Sequence, residues 1–183
     1  MITLAPPPFV LYPVAKHWWS LADYGAVLGT VRALAARTVL EFGPGSSTLA
    51  LVEGGATTID TCEDDPKWLD VYRRRLGMKF AGVVEVRAYT WADPLTIPAI
   101  DGNRYDLALI DGPHDTPRRP VVLEYCLQRC RAVLIPTEDH KVASPPLRPS
   151  IERLGDVYRA SVEIVETGPL SGAFALMIPG ARS

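Results

Sequence analysis

The sequence predicts a single α/β domain over residues 1–183, a doubly wound sheet of parallel strands closed by an antiparallel pair. Three observations carry that expectation. From Thr38 onward, short apolar runs rich in β-branched residues alternate with stretches that bear a helical stripe. The run Val39-Leu40-Glu41-Phe42 breaks at Gly43-Pro44-Gly45 and passes directly into Ser46-Ser47-Thr48 and the apolar Leu49-Ala50-Leu51-Val52, which reads as strand, sharp turn and helix start. The chain ends in two more strand-like runs, Val162–Val165 and Ala173–Ile178, joined through Gly168-Pro169 and Gly172.

The elements follow in order. Pro6-Pro7-Pro8 and Pro13 make residues 1–13 an extended arm, and His17 to Ala36 reads as helix, with Leu21, Tyr24, Leu28, Val31 and Leu34 recurring at three and four residues. Residues 1–37 thus form an arm and helix ahead of a core at 38–183. Trp18-Trp19-Ser20 either walls a ligand site or anchors the arm. After the glycine turn and its helix, Thr57 to Cys62 alternates as a second strand and ends in Glu63-Asp64-Asp65-Pro66. Pro66 suits the first turn of a helix to about Leu76, whose inward stripe is Trp68, Leu69, Tyr72 and Leu76. Val83–Val86 is a third strand with Ala88-Tyr89-Thr90-Trp91 at its tip, and Ala92 to Arg104, with Pro94, Pro98 and Gly102, has no helical stripe. Tyr105 to Ile110 is a near-continuous apolar fourth strand, as in a buried parallel sheet, and ends in Asp111-Gly112-Pro113-His114-Asp115. Thr116-Pro117 reads as cap and first position of a helix to about Arg131, with Val121, Val122, Tyr125 and Cys126 inward. Ala132 to Ile135 is a fifth strand, followed by Pro136-Thr137-Glu138-Asp139-His140-Lys141 and a helix over about 150–158.

Composition bounds the function classes. With 48% hydrophobic and 22% charged residues, 183 residues suffice for a sizeable core. A net charge of −2 and a pI near 5.9 leave no nucleic-acid footprint. Cys62, Cys126 and Cys130 make no even disulfide framework and read as buried thiols of a reducing compartment, so a cytoplasmic protein is expected. No apolar stretch is long enough for a bilayer, and no membrane partner is expected. Without an inserted lid domain, a second copy of the chain is a candidate to complete the pocket.

The chemistry is concentrated at the strand tips. Glycines in a strand-to-helix turn let a ligand approach bare backbone at the helix N-terminus. A phosphate loop would want a Lys after the glycines, and a dinucleotide fingerprint would want glycine where Thr48 stands. Glu41, just before the turn, suits a cationic amino group better than a pyrophosphate, which points to S-adenosylmethionine (SAM). Glu63, about twenty positions after the turn at the tip of the second strand, is placed to hold ribose hydroxyls.

On Glu41-Phe-Gly-Pro-Gly-Ser-Ser and Glu63 the sequence resembles the class I SAM-dependent methyltransferases. The phrases Glu63-Asp64-Asp65-Pro66-Lys67-Trp68 and Asp111-Gly112-Pro113-His114 look more narrowly like the polysaccharide O-methyltransferases that act on glucuronic acid side chains of xylan. The resemblance implies a trimmed Rossmann-like sheet of order 3-2-1-4-5-7-6 with the seventh strand antiparallel. It implies a cofactor site built from Glu41, Gly43, Pro44, Gly45, Ser46, Ser47, Glu63, Asp64 and Asp111, with Tyr89 or Trp91 covering the adenine. The expected reaction is O-methylation of a saccharide or other small molecule. Asp111 is the first candidate for acting on the acceptor's proton, with His114 and His140 as alternative bases. Asp111 and Asp139 are also candidate carboxylate ligands of a divalent cation, as in the metal-dependent small O-methyltransferases. The alternatives are a non-catalytic SAM- or nucleotide-binding module and an aminopropyltransferase-like enzyme of the same fold.

Overall fold

The computed structural model describes residues 21–67, 69–70, 85–90, 105–112, 118–137, 147–168 and 172–180. Their elements run α1 (Leu21–Ala33), β1 (Thr38–Phe42), α2 (Ser46–Gly54), β2 (Thr58–Glu63), β3 (Glu85–Thr90), β4 (Leu107–Ile110), α3 (Arg119–Arg129), β5 (Val133–Pro136), α4 (Arg148–Val157), β6 (Ser161–Gly168) and β7 (Gly172–Ile178). A further helical turn opens at Pro66, as the proline predicts, and its Leu69 is buried.

The seven strands form one sheet of order β3-β2-β1-β4-β5-β7-β6. The first five are parallel to their neighbours in this order, and β7 runs antiparallel between β5 and β6. This is the doubly wound, Rossmann-like topology that the motif resemblance implies. Both faces of the central strands are covered: all of β4 and β5 is buried, as is β1 after Thr38. One face carries α3 and α4 over Leu40, Phe42, Ile110 and Ile135. The other carries α1 and α2 over Val39, Leu107, Leu109 and Leu134. Alternate residues of each strand thus feed opposite halves of the core. At the lower edge of the sheet, Asp106 ties the starts of β1 and β4: its Oδ2 accepts the Thr38 N–H and Thr38 Oγ1–H, each at 3.0 Å.

Several expected boundaries move. The helix after β4 starts at Arg119, two residues past the expected Pro117, and Pro120 occupies its first turn. Its inward stripe is therefore Arg119, Val122, Leu123, Cys126 and Leu127, a spacing of three and four. Val121, expected inside, falls off that stripe and is 38% exposed. The third strand reaches Thr90, so Tyr89 belongs to the ladder, opposite Cys62, and not to a tip loop. The parallel pairing with β2 over six residues outweighs the polar composition of 87–90. Tyr105 stands just outside β4, bridged to Cys130, with its hydroxyl donating to the buried Asp60 carboxylate at 2.5 Å. Cys62, Cys126 and Cys130 are free and buried. Among the described residues no helix is long and apolar enough to cross a membrane. The expectations for the arm, Trp18-Trp19-Ser20, Trp68, Tyr72, Leu76 and 92–104 lie outside the described residues.

Candidate active site

In a doubly wound sheet the ligand cleft lies beyond the carboxyl ends of the strands, where the order reverses. Here that point is between β1 and β4, with β2 on the other side of β1. Three of the predicted acids end these three strands: Glu41 on β1, Glu63 on β2 and Asp111 directly after β4.

The tips of β1 and β4 touch through their backbones. Asp111 N–H and Gly112 N–H both donate to the Phe42 carbonyl, at 2.9 and 2.7 Å, and Gly43 N–H donates to the Cys62 carbonyl at 2.9 Å. Gly43 turns with φ +82°, and a Cβ there would meet Gly112 N at 2.7 Å. The first glycine of the motif is therefore required by its own fold, whatever the ligand adds. The turn then enters α2, whose first residues Ser46 and Ser47 follow Gly45.

Glu41 is completely buried. Its Oε1 accepts from Ser47 Oγ at 2.7 Å and Thr48 Oγ1 at 3.0 Å, and its Oε2 accepts from Thr48 Oγ1 at 2.8 Å. Burial pushes this carboxyl up to about 7; the Ser47, Thr48 and Thr61 hydroxyls oppose that rise, and the nearby Asp111 charge adds to it. Thr48 Oγ1 also accepts the Gly45 N–H at 3.2 Å. Glu63 is fixed at the end of β2 by the Asp65 N–H, which donates to Oε1 at 2.9 Å. Burial raises its carboxyl to about 7 as well, with Asp64 pushing the same way.

Around this centre, Asp111 is half-buried, Pro44 and Ser47 are buried, and Gly45 and Ser46 are half-buried. Asp64 is exposed and lies 3.7 Å from Arg118. His114, Asp139, His140 and Trp91 lie outside the described residues. Among the described residues no group of three His, Cys, Asp or Glu side chains could hold a metal ion.

Two residues of the site escape the motif reading. Thr48 is noticed in the sequence only as an absent glycine, yet it links Glu41 to Gly45. Arg119 is 2% exposed and donates from Nη2 to the Asp111 carbonyl at 2.8 Å, closing the two ends of the 111–119 segment. The one available signal was an arginine beside the Pro120 helix start, which reads as an ordinary solvated charge.

No protein-family model matches the sequence, and no curated protein matches it. Solved structures do. An O-methyltransferase from Bacillus cereus in complex with S-adenosylhomocysteine (SAH) is 21% identical, with a TM-score of 0.69 over 92% of this chain and 84% of that one. The O-methyltransferase TomG from Streptomyces achromogenes, involved in tomaymycin synthesis and in complex with SAM, is 17% identical, with a TM-score of 0.67 over 89% and 82%. The magnesium protoporphyrin IX methyltransferase of Synechocystis with bound SAM is 15% identical, with a TM-score of 0.62 over 86% and 78%. The fold is thus that of the class I methyltransferases.

Proposed function

We propose that this chain is a SAM-dependent methyltransferase that acts on an oxygen of a saccharide or other small-molecule acceptor. The observation that carries the reading is the placement of Gly43-Pro44-Gly45 and of Glu63 at neighbouring strand tips, in a fold shared with methyltransferases solved with SAM or SAH. The donor set fits that group. Glu63 offers a carboxylate, one oxygen of which is fixed by the Asp65 N–H, to a ribose diol, and the β1–α2 turn presents backbone and helix N-terminus to the methionyl end. When bound, SAM supplies an electrophilic methyl on a sulfonium.

The protein's own share is placement and proton handling. Glu63 fixes the nucleoside. Asp111, half-buried beside the glycine turn, accepts the acceptor's proton or orients the hydroxyl. A divalent cation shared by Asp111 and Asp139 would lower the acceptor's pKa instead, and loss of activity with chelator, reversed by added metal, distinguishes that route. Calorimetry with SAM, SAH and NAD tests the reading itself. Binding of SAM and SAH with no heat from NAD is the expected result, and the reverse would make the protein a nicotinamide enzyme.

A further inference from the structure

We infer that Glu41 and Thr48 form one positioning unit for the β1–α2 turn, so that Glu41 acts on a bound ligand through the loop and does not touch it. The inference rests on the SAM-site reading above and gives a specific role to the hydroxyl that stands where the dinucleotide pattern has glycine.

The geometry is that of a closed chain of hydrogen bonds. Both oxygens of Glu41 accept hydroxyls from within the next seven residues, and the side chain has no exposed surface. With no exposed surface, this carboxylate is closed to an ammonium in the cleft. Thr48 has one hydroxyl proton, which goes to Glu41, and its lone pair takes the Gly45 N–H. That N–H belongs to the residue preceding α2, so the bond sets where the turn ends and the helix begins. A glycine at 48 would strip Glu41 of a hydroxyl partner and release Gly45. A buried carboxylate with fewer donors is strongly unfavourable, so acid and hydroxyl belong together. The sequence pattern that looked like a defective fingerprint is a different way of holding the same turn.

The test uses SAH binding by calorimetry and amide exchange of Gly45 by NMR, on the full chain. Thr48→Val, which keeps the shape and removes the hydroxyl, should weaken SAH binding roughly tenfold, the scale of a lost hydrogen bond to a charged group. Thr48→Ser should restore affinity to within about twofold, as the hydroxyl alone is needed. Glu41→Gln should weaken SAH and adenosine alike, and combining it with Thr48→Val should add little further loss. If Glu41 instead touched the ammonium, Glu41→Gln would spare adenosine and Thr48→Val would leave SAH binding unchanged; either result overturns the inference. Gly45 exchange needs no ligand. It should quicken by roughly tenfold or more in Thr48→Val, or in Glu41→Gln should the valine variant not fold. An unchanged rate overturns the unit even if the protein binds no SAH, an outcome that would on its own remove the SAM-site reading.

Discussion

The tips of β1 and β4 meet back to back at Gly43 and Gly112, yet they are held in opposite ways. The β1 tip is secured from within, by a buried carboxylate that gathers two hydroxyls of the helix it feeds. The β4 tip is secured from outside, by the guanidinium of Arg119, which reaches back to the Asp111 carbonyl. The first arrangement consumes its acid in structure. The second fastens the main chain at Asp111, a half-buried residue beside the glycine turn. The difference is one of means: at β1 the acid's own side chain holds the turn, and at β4 an arginine holds the main chain.

The strongest way to break the comparison is at the contact itself. Gly43 combines a positive φ with a backbone approach of 2.7 Å for any added Cβ, whereas the corresponding approach at Gly112 is 3.1 Å, without a left-handed backbone. Gly43→Ala should therefore cost about 4 kcal/mol, strain and clash together, and Gly112→Ala about 1 kcal/mol. Equal midpoint shifts in urea denaturation would mean that the two glycines share the strain.

The asymmetry also separates what the sequence could tell from what it could not. The apolar runs at 39–42, 107–110 and 133–135 are buried on both faces, so hydrophobic continuity alone marked them as inner parallel strands. The order of the strands came from the motif resemblance, because no local pattern encodes which tips become neighbours. The place of Glu63 at the tip of β2 was legible because it depends on its own strand end. Thr48 and Arg119 were not, because each acts on a group seven or eight residues away that only the folded turn brings near. Arg119 was hidden further by the misplaced helix start, which put its stripe out of phase. The sequence placed Glu41 before the glycine turn but could not show that it is buried and bonded by Ser47 and Thr48, since burial and partners are properties of the packed tip.

Titration probes the same asymmetry at a somewhat smaller scale. Glu41 binds its proton more tightly in the folded state, near pH 7, than in the unfolded chain, near 4.5. The contribution to stability is therefore fully present below about 4.5 and is lost as the pH rises through about 7. The loss from Glu41 alone is on the order of 3 kcal/mol, and Glu63 shifts in the same direction. Glu41→Gln, with no proton to release, should flatten much of the fall in unfolding free energy measured between pH 4.5 and 8. A wild-type profile that rises over this window would mean that Glu41 is ionised throughout.

On the β4 side, Arg119→Met should remove the donor to the Asp111 carbonyl and lower stability by about 2 kcal/mol. Its more telling effect should be on turnover, because the main chain it steadies carries Asp111, the residue proposed to handle the acceptor's proton. We expect kcat for methyl transfer to fall further than SAH affinity, with Arg119→Lys partly restoring kcat. An equal fall in both would place Arg119 in support of the whole cleft and not of Asp111.

The smallest effect should come from the polar pair that links the two sides across β1. Arg118, preceding α3, and Asp64, just past β2, stand 3.7 Å apart with side chains 31% and 37% exposed. At that distance and exposure, water and salt screen most of the attraction, and ordering two mobile side chains offsets part of the remainder. Asp64→Asn should change stability by about 0.5 kcal/mol at low salt and by nothing measurable at 1 M salt. Asp64 was also a candidate cofactor contact, and the two roles separate in a single titration. A residue spent on Arg118 leaves SAH affinity within about twofold when it becomes Asn, whereas one that accepts a ribose hydroxyl loses about tenfold, as a hydrogen bond to a charged group would. The tenfold loss, together with an Arg118→Ala variant that binds as well as wild type, would move Asp64 into the cleft beside Glu63 and make the β2 tip, unlike that of β1, a place where two side chains hold one ligand group.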